Sequence, residues 1–281
     1  MRLLFLAATF AAALTNSVSA SEPPGAREAY VERRGLIEAD ARCGLFTADI
    51  RSALNAGAAQ ARGALLRAGW NSAQVRELEQ TVASVARARA CNDPRTAEAA
   101  ANARNAFSYW VNAGSMEFPG WERTWLARRS PTPDGWRLSQ TVDGPLATTF
   151  GIRDHAGDQS LALAIVVGRG STAPASAQLV MRAAQARVRE IPLTQRIAYG
   201  IQAGTPAPGD AMTMPSTRSI ERLSGGRSLV VFNFPDSAFR DLLRLDPRES
   251  VEIRVSDGRR TQSIYIEVGD VAAARTFLTL R

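Results

Sequence analysis

The sequence predicts an α+β protein: an N-terminal four-helix up-down bundle followed by an antiparallel β-sandwich or partly open barrel with two short helices. Three observations carry that reading. Apolar residues recur at spacings of three and four from residue 26 to about residue 111, the period shifts toward two from Trp136 onward, and both cysteines fall in the helical part. The expected organisation is a signal peptide over residues 1–20, a helical domain over 21–127, a linker over 128–135 and a β-rich domain over 136–281.

The first segment reads as an export signal. Met1-Arg2 is a positive start, residues 3–14 are an apolar run, and Val18-Ser19-Ala20 supplies the small residues that a signal peptidase accepts. The run is too short to cross a hydrocarbon core of about 30 Å, and no later stretch reaches the roughly 18 apolar residues of a membrane span. A lipoprotein would carry Cys after the cleavage point, where Ser21 stands. With a lysine-free, Ala-rich composition of the kind GC-rich genomes produce, the expected destination is the bacterial periplasm, and secretion to the medium is the second choice.

Four helices follow. The first runs from Ala26 to Arg42 and stops at Gly44, a residue suited to the left-handed position after a helix. Thr47 caps a second, with Ile50, Leu54, Ala58, Ala61 and Leu65 on one face before Gly69. Asn71 with Gln74 forms a capping box for a third, carrying Val75, Leu78, Val82 and Val85 on one side. Asp93-Pro94 opens a fourth, whose Ala99, Ala103, Ala106, Phe107, Trp110 and Val111 should face inward. In an up-down bundle the first and third helices finish at the same pole, so Cys43 and Cys91 can meet, and an oxidising compartment would join them.

Between residues 107 and 136 the chain concentrates aromatics around Phe118-Pro119-Gly120-Trp121. Trp110, Phe118, Trp121, Trp125 and Trp136 are therefore candidates either for a ligand platform or, the stronger reading, for apolar filling where bundle meets sheet. Beyond them, Leu146, Thr148, Phe150 and Ile152 alternate, as do Ile197, Tyr199 and Ile201, while residues 161–167 and 229–234 read as buried strands. The clearest hairpin pairs Val251, Ile253 and Val255 with Ile264, Ile266 and Val268 around Asp257-Gly258. Short helices are expected over residues 236–245 and 270–280, and a flexible loop over 205–215 containing Met212 and Met214. This strand-turn-strand ending with its Ala-rich helix resembles bacterial periplasmic sandwich proteins of the invasion-associated locus B type over about the last 50 residues. The resemblance implies an export-compatible fold and transfers no functional residue; those proteins commonly carry cysteines in the sandwich, which this half lacks.

Composition excludes several chemistries. All 34 basic residues are arginine, so no Schiff-base lysine, Ser-x-x-Lys pair or Walker A lysine exists. One histidine and two distant cysteines without HExxH or CxxC spacing leave no metal site or cofactor to expect. The net charge of +7 is spread in pairs such as Arg33-Arg34, Arg128-Arg129 and Arg259-Arg260, without the basic stripe of a nucleic-acid binder. Gly168-Arg169-Gly170-Ser171 and Ser224-Gly225-Gly226-Arg227 match no nucleotide fingerprint and read as loops. The one catalytic candidate is His155 between Asp154 and Asp158, where carboxylates would orient an imidazole as a base, but Asp-His-Ala-Gly-Asp reads first as a hairpin turn. The expected function is thus a non-enzymatic, exported cell-envelope module that binds another envelope protein or a glycan. A periplasmic hydrolase using His155 and an anion-binding module for acidic glycan or lipid headgroups are the alternatives.

Overall fold

The computed structural model describes residues 25–143, 147–155 and 157–280. The leader expected over residues 1–20 and Leu146 lie outside them. Four helices come first: α1 (Ala26–Cys43), α2 (Ala48–Arg67), α3 (Ser72–Ala88) and α4 (Pro94–Asn112). Their ends are set by local chemistry. Gly44 follows α1 at φ 62°, Thr47 Oγ1 accepts from the Ile50 N–H, and Asp93 caps α4 with Pro94 in its first turn. Asn71 and Gln74 close a reciprocal capping box on α3.

Cys43 at the end of α1 and Cys91 just beyond α3 form a disulfide with Cα atoms 5.7 Å apart, so the C-terminal ends of these helices lie together. A second tie is Asp40, buried near the end of α1. Its carboxylate accepts from the Phe46 N–H at 2.9 Å and from Arg51 Nε at 2.5 Å, pinning the α1–α2 turn. Burial pushes the Asp40 carboxyl up, but the bonds from Arg51 and Phe46 outweigh it and hold it below the usual aspartate range.

Eleven antiparallel strands follow among the described residues. β1 (Ser115–Pro119), β2 (Thr124–Arg128), β3 (Trp136–Val142), β4 (Thr148–His155), β5 (Asp158–Val167), β8 (Thr217–Arg222) and β9 (Ser228–Phe234) form one sheet, in the order β1-β2-β3-β4-β5-β9-β8. β6 (Ser176–Arg182), β7 (Ala211–Pro215), β10 (Ser250–Ser256) and β11 (Thr261–Glu267) form the other, in the order β11-β10-β6-β7. Both sheets are open, so neither closes into a barrel. Side chains from both share one apolar core, including Phe150, Leu163 and Phe232 from the first and Leu179, Ile253 and Ile266 from the second. The β10–β11 hairpin has the expected register, Val251 opposite Ile266 and Ile253 opposite Ile264, and Asp257 accepts from the N–H groups of Arg259 and Arg260 in its turn. Three short helices cover edges and ends: α5 (Leu193–Tyr199), α6 (Asp236–Leu242) and α7 (Val271–Thr279).

Four expectations need correction. The sheet begins at Ser115, inside the 21–127 span read as helical, and residues 128–135 connect β2 to β3 instead of linking two halves. Strands of five residues around Pro119-Gly120 are too short to display a period. Ile197 and Tyr199, read as strand, lie on α5 and point outward at 56% and 66% exposure, while the residue buried there is Arg196. The 205–215 segment is not a loop throughout: Ala211–Pro215 is β7, paired with β6, and Met212 and Met214 pack on the core. Finally, α4 buries only Thr96 and Ala100, so the stripe expected to pack inward does so incompletely.

An ion pair ties α2 to the start of α7. Arg67 on α2 donates from both Nη atoms to the two carboxylate oxygens of Asp270 at 2.9 Å, a buried bidentate pair spanning 203 positions of sequence. Gly63, one turn before Arg67, makes room for it: a Cβ there would stand 2.6 Å from Asp270 Oδ1 and 2.9 Å from Arg67 Nη1.

Three outcomes are expected. Replacing Cys43 and Cys91 by Ser should lower unfolding free energy by about 4 kcal/mol in urea titrations, the unfolded-chain entropy of a loop this long. Gly63→Ala should lower the melting temperature even though Ala is the better helix former by about 1 kcal/mol, because the methyl group displaces the ion pair. Because the Asp40 carboxyl titrates lower when folded, its stabilisation is complete above roughly pH 4 and is lost as pH falls through the depressed value. The melting-temperature gap between wild type and Asp40→Asn should therefore be widest near neutrality and narrow in acid.

Candidate functional site

The helices and sheets do not meet everywhere. Between α1, α2 and α4, and floored by β1 and α7, a groove of about 440 Å³ remains open. Its walls are largely apolar: Leu36 from α1, Leu54 from α2, and Ala103, Ala106 and Phe107 from α4, with Phe118 and Ala273 at its base. Glu32, Arg33, Gln60 and Asn102 supply the polar groups. Arg33 donates to the Gly57 carbonyl at 2.8 Å, and its stem lies so close to Gly57 that a Cβ there would come within 3.2 Å. Helix α4 is held over the groove from several sides. Arg104 donates to the Leu45 carbonyl at 2.9 Å and lies over the Phe46 ring. Arg129 donates to the carbonyls of Trp110 and Ala113, both at 3.1 Å, and stacks 4.3 Å from the Phe277 ring centroid. Burial pushes the Arg129 guanidinium pKa down.

The five aromatic candidates separate into distinct environments. Trp110 and Phe118 line the groove and meet Phe277, with centroids at 5.4 Å and 5.9 Å. Trp125 is fully buried in the shared core, and its indole N–H is bonded to the carbonyls of Glu267 and Val268 at 3.0 Å. Trp136 is buried on the opposite face of the large sheet, with Ala162, Ala164 and Val231. Trp121 is half-buried beneath Arg196, whose guanidinium lies 5.6 Å from its ring centroid. No single platform gathers all five.

The region around Trp121 is ionic. Burial pushes the Arg196 pKa down, although Glu267 and Glu122 oppose the shift; its guanidinium donates to the carbonyls of Gly200 and Arg248. Arg248 is held by Asp246 at 2.8 Å and 3.1 Å and by Glu190 at 2.5 Å. The Glu267 carboxylate accepts from the N–H groups of Glu122 and Arg123 in the β1–β2 turn. A space of about 10 Å³ remains among Trp121, Arg67, Arg196 and Arg248, room for about one water. Arg67 and Arg248 are paired with carboxylates, whereas Arg196 and Glu267 are held by backbone carbonyls and N–H groups.

His155, Asp154 and Asp158 lie together at the end of one hairpin. His155 and Asp158 are paired at the end of the β4–β5 hairpin, both exposed, and Asp154 Oδ1 accepts from the Gly157 N–H at 3.2 Å. Nearby, Arg153 clamps Glu221 at 2.6 Å and 2.9 Å, and that bond holds the Glu221 carboxyl below its usual range. The neighbouring hydroxyl, Ser160 Oγ, is hydrogen-bonded to Asn233 Oδ1 at 3.0 Å. His155 and Asp158 border, with Arg153, Ser160, Ser219 and Glu221, an open recess of about 450 Å³. Among the described residues no group of three or more His, Cys, Asp or Glu converges on a metal position. None of the described helices is long and apolar enough to cross a membrane.

The groove was missed in the sequence, where the stripe of α4 was expected to face inward. The available signal was the same stripe: Ala103 and Ala106 line the groove with α1 and α2, and their side chains are small. Searches against protein-family models, curated proteins and solved structures find no match to this chain.

Proposed function

We propose that this chain is an exported cell-envelope protein and a non-enzymatic binding module, holding a small apolar or amphipathic component in the groove where helices meet sheets. The observation that carries the reading is the groove itself. At about 440 Å³ it falls within the roughly 300–1,000 Å³ range of ligand sites, with mostly apolar walls and a few polar groups at its margin. The helices are read as an up-down bundle and the sheets as the two layers of a sandwich; in that arrangement the groove lies at the seam between layers, where a ligand contacts both. The Cys43–Cys91 disulfide supports the oxidising envelope as the place of work. The partner would then be an envelope molecule with an apolar portion, a lipid-bearing glycan or protein being the broader class.

The test is binding of the neutral fluorophore N-phenylnaphthylamine, followed by its emission and by energy transfer from tryptophan. Wild type should give a saturable signal, and Ala106→Trp, which fills the groove beside Phe107, should weaken it by at least roughly tenfold, about 1.4 kcal/mol. No saturable signal from folded wild type would defeat the reading.

A further inference from the structure

A second groove, of about 320 Å³, runs along α1 between α1, α3 and α4 and reaches the disulfide end of the helices at Arg42 and Arg89. Its interior is apolar, with Leu36, Ala39, Val82, Ala86 and Ala99 among its walls, and Val85 stands half exposed beside them. It shares Glu32 and Leu36 with the junction groove. The two lie along one face of α4: Arg95, Thr96 and Ala99 line the second, and Asn102, Ala103, Ala106, Phe107 and Trp110 line the first. That spacing is the three-and-four stripe of a single helix face, and fifteen positions at 1.5 Å per residue make it roughly 22 Å long.

The charge along this path is one-sided. Arg27, Arg42, Arg89 and Arg95 line the second groove, and Glu32 is the one acidic side chain lining either. Arg42, Arg89 and Arg95 gather where α1 and α3 end and α4 begins. Arg42 is oriented by bonds to the carbonyls of Arg87 and Arg89, Asp93 lies near Arg89, and among the described residues none of the three has a salt-bridge partner within 4.0 Å. An apolar path with three of its cations clustered at one end is complementary to a molecule with a long apolar chain and an anionic head.

We infer that the path beneath α4 binds a single-chain anionic amphiphile, a long-chain carboxylate, with its chain along Ala99, Ala103 and Ala106 and its head among Arg42, Arg89 and Arg95. This deepens the binding-module reading and rests on it. The chain displaces water from the underpacked face of α4, and the head meets guanidinium groups at the rim, where salt can screen them.

The experiment compares palmitate with hexadecanol, its neutral counterpart of equal length, by calorimetry and tryptophan fluorescence. Wild type should prefer palmitate by roughly tenfold, the scale expected of a few exposed ion pairs. The preference should vanish in the triple variant Arg42→Gln/Arg89→Gln/Arg95→Gln and shrink in high salt, while hexadecanol affinity stays unchanged. Ala99→Trp, checked for folding by its melt, should abolish palmitate binding and retain N-phenylnaphthylamine in the junction groove. Equal affinity for the two ligands, a preference that survives the triple variant, or palmitate binding undiminished by Ala99→Trp overturns the inference and leaves the junction reading standing. Failure of folded wild type to bind any of the three probes overturns both.

Discussion

The buried pair between Arg67 and Asp270 sets the relation between the two halves of this molecule. A guanidinium and a carboxylate taken out of water cost several kcal/mol each in lost solvation, and only a close, fully bonded geometry offsets this. Here both Nη atoms meet both oxygens at 2.9 Å, and a glycine in the preceding turn lets them do so. Burial still pushes the Asp270 carboxyl above its ordinary value against the pull of Arg67. Such a pair tolerates little displacement, so it determines where α2 sits against the start of α7. The approach of Gly269, at φ 47°, to Gly120 brings the β1–β2 turn in beside it. Arginine suits this role better than lysine would, because its planar fork engages a carboxylate at two points.

With α2 anchored there and α1 joined to α3 by the disulfide, α4 is the helix left with least to pack against. It is held by Arg104 and Arg129 and by the cystine just before it, while alanines occupy most of its inner stripe. A bundle of larger side chains would have closed this space, as interiors normally do. The opening therefore arises from side-chain size on one helix face combined with rigid fixing of the other helices. A ligand held there would touch helix and sheet together.

Much of the helical half was legible from local chemistry. Thr47, the Asn71–Gln74 box, Asp93-Pro94 and Gly44 act through bonds to residues within a turn, so their roles can be read without knowing the fold. The disulfide followed from helix count and polarity. The β10–β11 hairpin was readable because one face is buried and the other wet. By contrast, β8 is nearly all exposed and β1 and β2 are only five residues long, too short for a period to stand out. At Ile197, Tyr199 and Ile201 an apparent alternation misled, because the first two lie outward on a helix whose buried residue is the charged Arg196, which a hydrophobic pattern cannot register.

By itself, then, the sequence determined the helix ends, the cystine, the long buried strands and the exclusion of lysine chemistry. These depend on residue type or on neighbours a few positions away. The tertiary structure alone decided which charges pair across the junction, where the sheet begins, and that the alanine face of α4 borders open space. Each of these depends on groups that are distant along the chain, and burial and packing volume are properties of their meeting, not of any one segment.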